Sequence, residues 1–158
     1  MDKTRGNILW IDDEIEHLKP HILFLEEKGY CITKSDNGKE GIDNCKKNSF
    51  DLVLLDQYMP GLDGMDTLRG IKKINPAVPI IMITKSEEEQ LMDEAIYEKI
   101  AHLLIKPVNP SQIFMVCKQV LEDSSIRNEK VIREYLQEFQ QIELDADSAN
   151  TISEWWII

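Results

Sequence analysis

Five short apolar runs, each followed by a longer amphipathic stretch, constrain what this chain can fold into more than any other feature. The runs are residues 7–12 (NILWID), 31–34 (CITK), 51–56 (DLVLLD), 80–84 (IIMIT) and 102–106 (HLLIK). Three are nearly continuous in Ile, Leu and Val, as expected of strands buried on both faces of a parallel sheet. Strand followed by helix five times requires right-handed crossovers. The expected architecture is α/β, a doubly wound five-stranded parallel sheet of flavodoxin type in the order 2-1-3-4-5, with a C-terminal helical extension.

The intervening stretches carry helix-start signals. Asn37 with Glu40, Ser86 with Glu89, and Asn109 with Gln112 each place a capping side chain three residues before one able to reach back to the cap. Pro110 follows Asn109 at the first helical position, where a missing N–H is harmless. The first helix repeats Ile15, Leu18, Ile22 and Leu25 and stops at Gly29. Pro20 removes a backbone donor inside it, so the regular part is expected to begin only about there.

With 158 residues the chain fits one domain plus a short appendage, expected as a domain over 1–122 and, over 123–158, a helical linker and the start of a truncated downstream domain. The net charge is −11, of which residues 1–122 carry −6 and 123–158 carry −5. Such a surface repels phosphate backbones and anionic lipid, so neither nucleic acid nor a membrane is an expected partner. Cys31, Cys45 and Cys117 are odd in number and widely spaced, which fits a reducing, cytoplasmic setting. No run approaches the length of a membrane span.

In the extension, Ile132, Tyr135, Phe139 and Ile142, widened by Val131 and Leu136, predict an amphipathic helix over 126–143 that must pack on something. Residues 145–150 (DADSAN) read as a polar loop, and Thr151 with Glu154 as a further capping box before Trp155, Trp156, Ile157 and Ile158.

In a parallel sheet the carboxyl ends of the strands share one rim. Here that rim receives Asp12 and Asp13 from the first strand, Asp56 from the third, Thr84 from the fourth and Lys106 from the fifth. Carboxylates gathered so closely raise one another's pKa, and a hard divalent cation relieves them; Mg2+ fits, because it takes one or two carboxylates and leaves room for phosphate oxygens. Asp56 is then the expected nucleophile toward a phosphoryl group. Asp13 and Asp56 would hold the metal directly, Asp12 through water, and the Tyr58 carbonyl would add a ligand. Lys106 and Thr84 would contact phosphoryl oxygens.

These residues, with Met59, Pro60 and Gly61 after the acceptor and Pro107 after the lysine, make residues 7–122 similar to the receiver domain of two-component response regulators, the CheY-like fold. The resemblance implies a signalling switch rather than a turnover enzyme. A sensor histidine kinase would donate to Asp56, the peptide before Pro107 would be cis, and the fourth helix, fifth strand and fifth helix would form the output face, homodimerisation included. More narrowly, the wording WIDDE, HILFLE, ITKSEEE and LIKPVNP resembles PorX-type regulators of Bacteroidetes, which implies type IX secretion and a downstream PglZ-like domain.

Two positions depart from the usual pattern. The aromatic switch position three residues before the lysine is Leu103, beside His102, and the position two after the acceptor is Tyr58, with Ser86 two after Thr84. Position 103 therefore lacks the ring whose rotation the resemblance implies as a readout, and Tyr58 would shield an acyl phosphate and lengthen its life. A haloacid-dehalogenase-like phosphatase would require a second Asp where Tyr58 stands. A pseudo-receiver that binds partners without phosphorylation is the alternative. His17 and His21 have the spacing of a zinc helix, but Pro20 interrupts the turn and no third ligand is evident.

Overall fold

The computed structural model describes residues 4–85 and 88–149. The chain divides into two units, Met1–Leu121 and Glu122–Ile158. In the first, five strands, β1 (Gly6–Ile11), β2 (Tyr30–Ser35), β3 (Leu52–Asp56), β4 (Ile80–Thr84) and β5 (His102–Ile105), form one parallel sheet in the order β2-β1-β3-β4-β5. The helices are α1 (Lys19–Glu27), α2 (Gly38–Lys47), α3 (Gly64–Ile74), α4 (Glu89–Tyr97) and α5 (Pro110–Ala149).

The period-two alternation of a strand sorts the apolar runs onto two faces. Ile8 and Trp10 of β1, Leu52 and Leu54 of β3, and Ile81 and Ile83 of β4 join one buried cluster with Ile22 and Leu25 of α1 and Ile113 and Cys117 of α5. Leu9 and Ile11, Val53 and Leu55, and Ile80 and Met82 join another with Leu68 and Ile71 of α3 and Ala95 of α4. Burial on both faces is why these runs carry almost no polar residue before their last positions.

A short 3-10 turn (Ile15–Leu18) precedes α1, and Pro20 falls in the first turn of the helix proper, where its missing donor leaves no bond unmade. Gly29, at φ +102°, turns the chain out of α1 in a conformation that other residues adopt only under strain. The Asn37 side chain accepts from the Glu40 N–H at 2.8 Å, and that of Asn109 from the Gln112 N–H at 2.8 Å. A further cap escaped the sequence reading. Asp63 accepts from the Asp66 N–H at 2.9 Å and opens α3, where an aspartate rather than Glu or Gln occupies the third position.

Two expectations are corrected. Helix α4 starts at Glu89 after Glu88, which makes no side-chain cap bond, and not directly after Ser86, which lies outside the described residues. The acidic segment at 145–150 is not a loop as far as it is described, since α5 continues through Ala149. No Gly or Pro stands between Glu122 and Ala149 to interrupt the helix. In that second unit Ile126, Ile132, Tyr135 and Leu136 are exposed, and Glu129 with Arg133 and Lys130 with Glu134 form i,i+4 pairs at 3.9 Å. The capping box at Thr151 and the residues after it lie outside the described residues.

Candidate functional site

The carboxyl ends of β1, β3, β4 and β5 do meet on one rim, and each delivers its residue by a different local device. Asp12 follows the last residue of β1. Its N–H donates to the Ser35 carbonyl at 3.0 Å, and its Oδ1 accepts from the Glu14 N–H at 2.8 Å, so the chain curls there into a turn that presents Asp13 to solvent. Asp56 ends β3 and is 4% exposed. The next residue, Gln57, donates its N–H to the Ile83 carbonyl at 3.0 Å, which carries strand pairing one step beyond the acceptor.

Acidic oxygens from Asp12, Asp13 and Asp56 lie within 4.8 Å of one another. Lys106 reaches them from β5, its ammonium 3.2 Å from Asp56 Oδ1 and 3.4 Å from Asp12 Oδ2. The Lys106 N–H donates to the Thr84 carbonyl at 2.7 Å, so the register between β4 and β5 sets the lysine beside Thr84, itself fully buried. The Lys106–Pro107 peptide is cis.

Burial, and then the charge of Asp12, pushes the Asp56 carboxyl up to about 6 against the opposing pull of Lys106. Burial works against the Lys106 ammonium, but Asp12 and Asp56 outweigh it and hold its pKa above the ordinary value. Three carboxylates against one ammonium leave an excess of negative charge in a partly dehydrated site. Hard oxygen donors with that excess are the donor set of a divalent cation such as Mg2+, and Asp12, Asp13 and Asp56 fit one.

The remaining singled-out residues stand around this centre. Tyr58, two residues after Asp56, is half exposed, and Met59 beyond it is buried. Leu103 is partly buried against the core, while His102 is exposed and its ring Nδ1 lies 3.1 Å from the Leu103 carbonyl. His17 and His21 are not brought to a common metal centre among the described residues; His21 Nε2 instead bonds the Val108 carbonyl at 2.8 Å. Gly64 was missed in the sequence reading. A Cβ there would lie 2.6 Å from Gln57 Cα and 2.7 Å from the Asp56 carbonyl oxygen, so only glycine lets the start of α3 press on the acceptor loop. The Asp-Gly pair at 63–64, at a helix start, was the available signal.

Fold and site together define a doubly wound α/β domain with an acidic pocket, of the donor set a divalent cation takes, at the carboxyl rim of its sheet. The profile of the response regulator receiver domain matches residues 8–118, and the chain belongs to that family, one of signalling receivers rather than classical enzymes. It is 33% identical over 126 residues to the transcriptional regulatory protein ResD of Bacillus subtilis (strain 168), covering 79% of this chain and 52% of ResD. It is also 33% identical over 103 residues to ZraR of Escherichia coli (strain K12), covering 65% of this chain and 23% of ZraR. The chain thus spans about half or less of the curated relatives it matches.

Solved structures agree on the fold. A receiver domain protein of Clostridium thermocellum superposes with a TM-score of 0.70 at 31% identity, covering 77% of this chain and 98% of that one. A CheY-like receiver of Methanospirillum hungatei gives 0.74 at 24% identity, over 80% and 99% of the respective chains. Among the described residues no helix is long and apolar enough to cross a membrane.

Proposed function

We propose that Asp56 accepts a phosphoryl group from the phosphohistidine of a sensor histidine kinase, and that this charge change switches the contacts made by α4, β5 and α5. One Asp56 oxygen attacks phosphorus; the new O–P bond forms as the P–N bond to the kinase histidine breaks, and the imidazole leaves with the electron pair. Mg2+ held by Asp12, Asp13, Asp56 and the Tyr58 carbonyl would supply charge neutralisation for the phosphoryl oxygens. Lys106 takes one phosphoryl oxygen as a point charge, and the Thr84 hydroxyl donates to another. Tyr58 and Ser86 tune the lifetime of the acyl phosphate, and Leu103, with His102 beside it, stands at the position of the usual aromatic switch.

The observation that carries this reading is the Asp12, Asp13 and Asp56 cluster with Lys106 bonded across it. Residues 1–122 then act as the receiver, and a helical linker follows from residue 123. At the level of the whole protein, we read a cytoplasmic PorX-type regulator that dimerises on phosphorylation and acts through a PglZ-like domain in type IX secretion. The support for that narrower reading is the wording WIDDE, HILFLE, ITKSEEE and LIKPVNP alone.

The test is intact mass after incubation with acetyl phosphate and magnesium, beside Asp56→Asn and a chelator control. The expected result is a gain of one phosphoryl group that both controls lose. No gain by the folded chain overturns the phospho-accepting role and favours the pseudo-receiver.

A further inference from the structure

A cavity of about 460 Å³ lies between the start of α1 and the β5–α5 connection; it shares Asp12 and Lys106 with the acidic cluster but is not lined by Asp13, Asp56 or Thr84. Its volume is that of a small-molecule site. Leu18, Ile83, Val108 and Ile113 supply apolar wall, while Asp12 and Glu14 face Lys85 and Lys106 on its charged side, two acidic groups against two basic ones. A neutral occupant suits that balance better than an ion of either sign.

Trp10, His17, His21 and Pro107 supply the rest of the wall, and Trp10 and His21 each hold a buried polar atom with no partner among the described residues: the Trp10 indole N–H and His21 Nδ1. Trp10 is 1% exposed, and the two rings pack edge to face with centroids 6.4 Å apart. The chemistry of the two atoms is defined. A carbonyl only accepts, so the 2.8 Å bond between His21 Nε2 and the Val108 carbonyl puts a proton on Nε2 and leaves Nδ1 of the neutral ring an acceptor. Indole N–H only donates. An unmatched donor therefore stands beside an unmatched acceptor, and one group that both accepts and donates answers both.

The geometry points to a binding site for a small neutral molecule with an apolar body and a hydroxyl or primary carboxamide head, its head between Trp10 and His21 and its body against Leu18, Val108 and Ile113. The site differs from the phosphoryl pocket in occupant chemistry, and it does not depend on whether Asp56 accepts phosphate.

Benzyl alcohol and benzamide are suitable probes, with toluene as the control that lacks the head. The readout is the tryptophan indole N–H region of a proton–nitrogen correlation spectrum of the whole chain, with the Trp10 signal assigned through Trp10→Phe. The other two tryptophans serve as internal references. Both polar probes are expected to shift the Trp10 signal saturably, with toluene binding about tenfold more weakly, the worth of about one to two hydrogen bonds. Val108→Phe and Leu18→Phe, which fill the cavity from partly buried positions, are expected to abolish the shift while the amide spectrum stays dispersed. An unchanged Trp10 signal up to the solubility of the probes would mean the cavity takes water alone and overturns the proposal. So would equal binding of toluene, or an undiminished shift in the filled variants. Should neither filled variant fold, the comparison of polar probes with toluene on the native chain decides.

Discussion

The Lys106 ammonium stands 3.2 Å from Asp56 Oδ1, across 50 residues of sequence, and forms the direct bond between the end of β5 and the end of β3. The same ammonium is shared with Asp12 at 3.4 Å, so one cation holds two buried carboxylates that would otherwise repel. Removing it leaves both with less compensation. Lys106→Ala is expected to raise the Asp56 carboxyl above its present value of about 6, measured by carboxyl-carbon titration in NMR. It should also lower stability by about 1–3 kcal/mol at pH 7.5, a range below that of fully buried pairs because the lysine side chain is 23% exposed.

Asp56 itself makes stability depend on pH. Its carboxyl is raised in the folded state, so between about 4 and about 6 the folded protein holds a proton that the unfolded chain releases. Stability contributed by this group is therefore present at low pH and is lost as pH rises through that window. Without metal, Asp56→Asn should be the more stable protein above pH 6, by up to about 3 kcal/mol, with the difference gone by about pH 4. Urea unfolding of both proteins across this range checks it.

Divalent metal should reverse part of that penalty. A cation binds the ionised carboxylate and expels its proton, so Mg2+ affinity is expected to fall as pH drops below about 6 and to level off above it. Calorimetric titration at several pH values should show proton release on binding below pH 7. Asp13→Asn, at an exposed position of the cluster, should weaken binding without unfolding the chain.

Gly64 packs against the Gln57 Cα and the Asp56 carbonyl oxygen as well as the end of the Gln57 side chain, and the two backbone atoms cannot swing aside as a side chain can. Gly64→Ala therefore forces the Asp56–Gln57 loop or the first turn of α3 to shift. About 1–3 kcal/mol of destabilisation is expected, typical of overpacking, together with slower labelling of Asp56 by acetyl phosphate.

Tyr58 is half exposed two residues from the acceptor, a position from which its ring can screen a phosphoryl group from water. Tyr58→Ala is expected to shorten the life of the phosphorylated state several-fold, followed by loss of mass with time. A native lifetime already in the range of seconds would refute the shielding role.

Some of this was legible before folding. The runs NILWID, DLVLLD and IIMIT announce buried parallel strands because each carries apolar residues on both faces, and their last residues name the rim chemistry. Asn37 and Asn109 announce their helices because a cap is a contact within three residues. The reading failed where local cues were weak or misleading. The acidic segment from Asp145 looks like a loop by composition, yet it contains no residue that stops a helix already under way. The Asp63 cap was hidden by an aspartate in place of the usual Glu or Gln.

Periodicity writes the strand-and-helix alternation into the residues, crossover handedness narrows the sheet to a few orders, and the direction of parallel strands names the rim residues. How those residues act on one another is set in the folded chain. Whether Lys106 reaches Asp12 and Asp56, how far burial and Asp12 raise the acceptor carboxyl, and why position 64 must be glycine all depend on atoms brought together from distant segments. The same holds for Trp10 and His21, an apolar-strand residue and a helix residue in sequence, which become a neighbouring donor and acceptor, each without a partner among the described residues, only once α1 packs on the sheet and Val108 sets the tautomer. Electrostatics and close packing fall off over a few ångströms, and distances that short between distant segments are set by the folded chain.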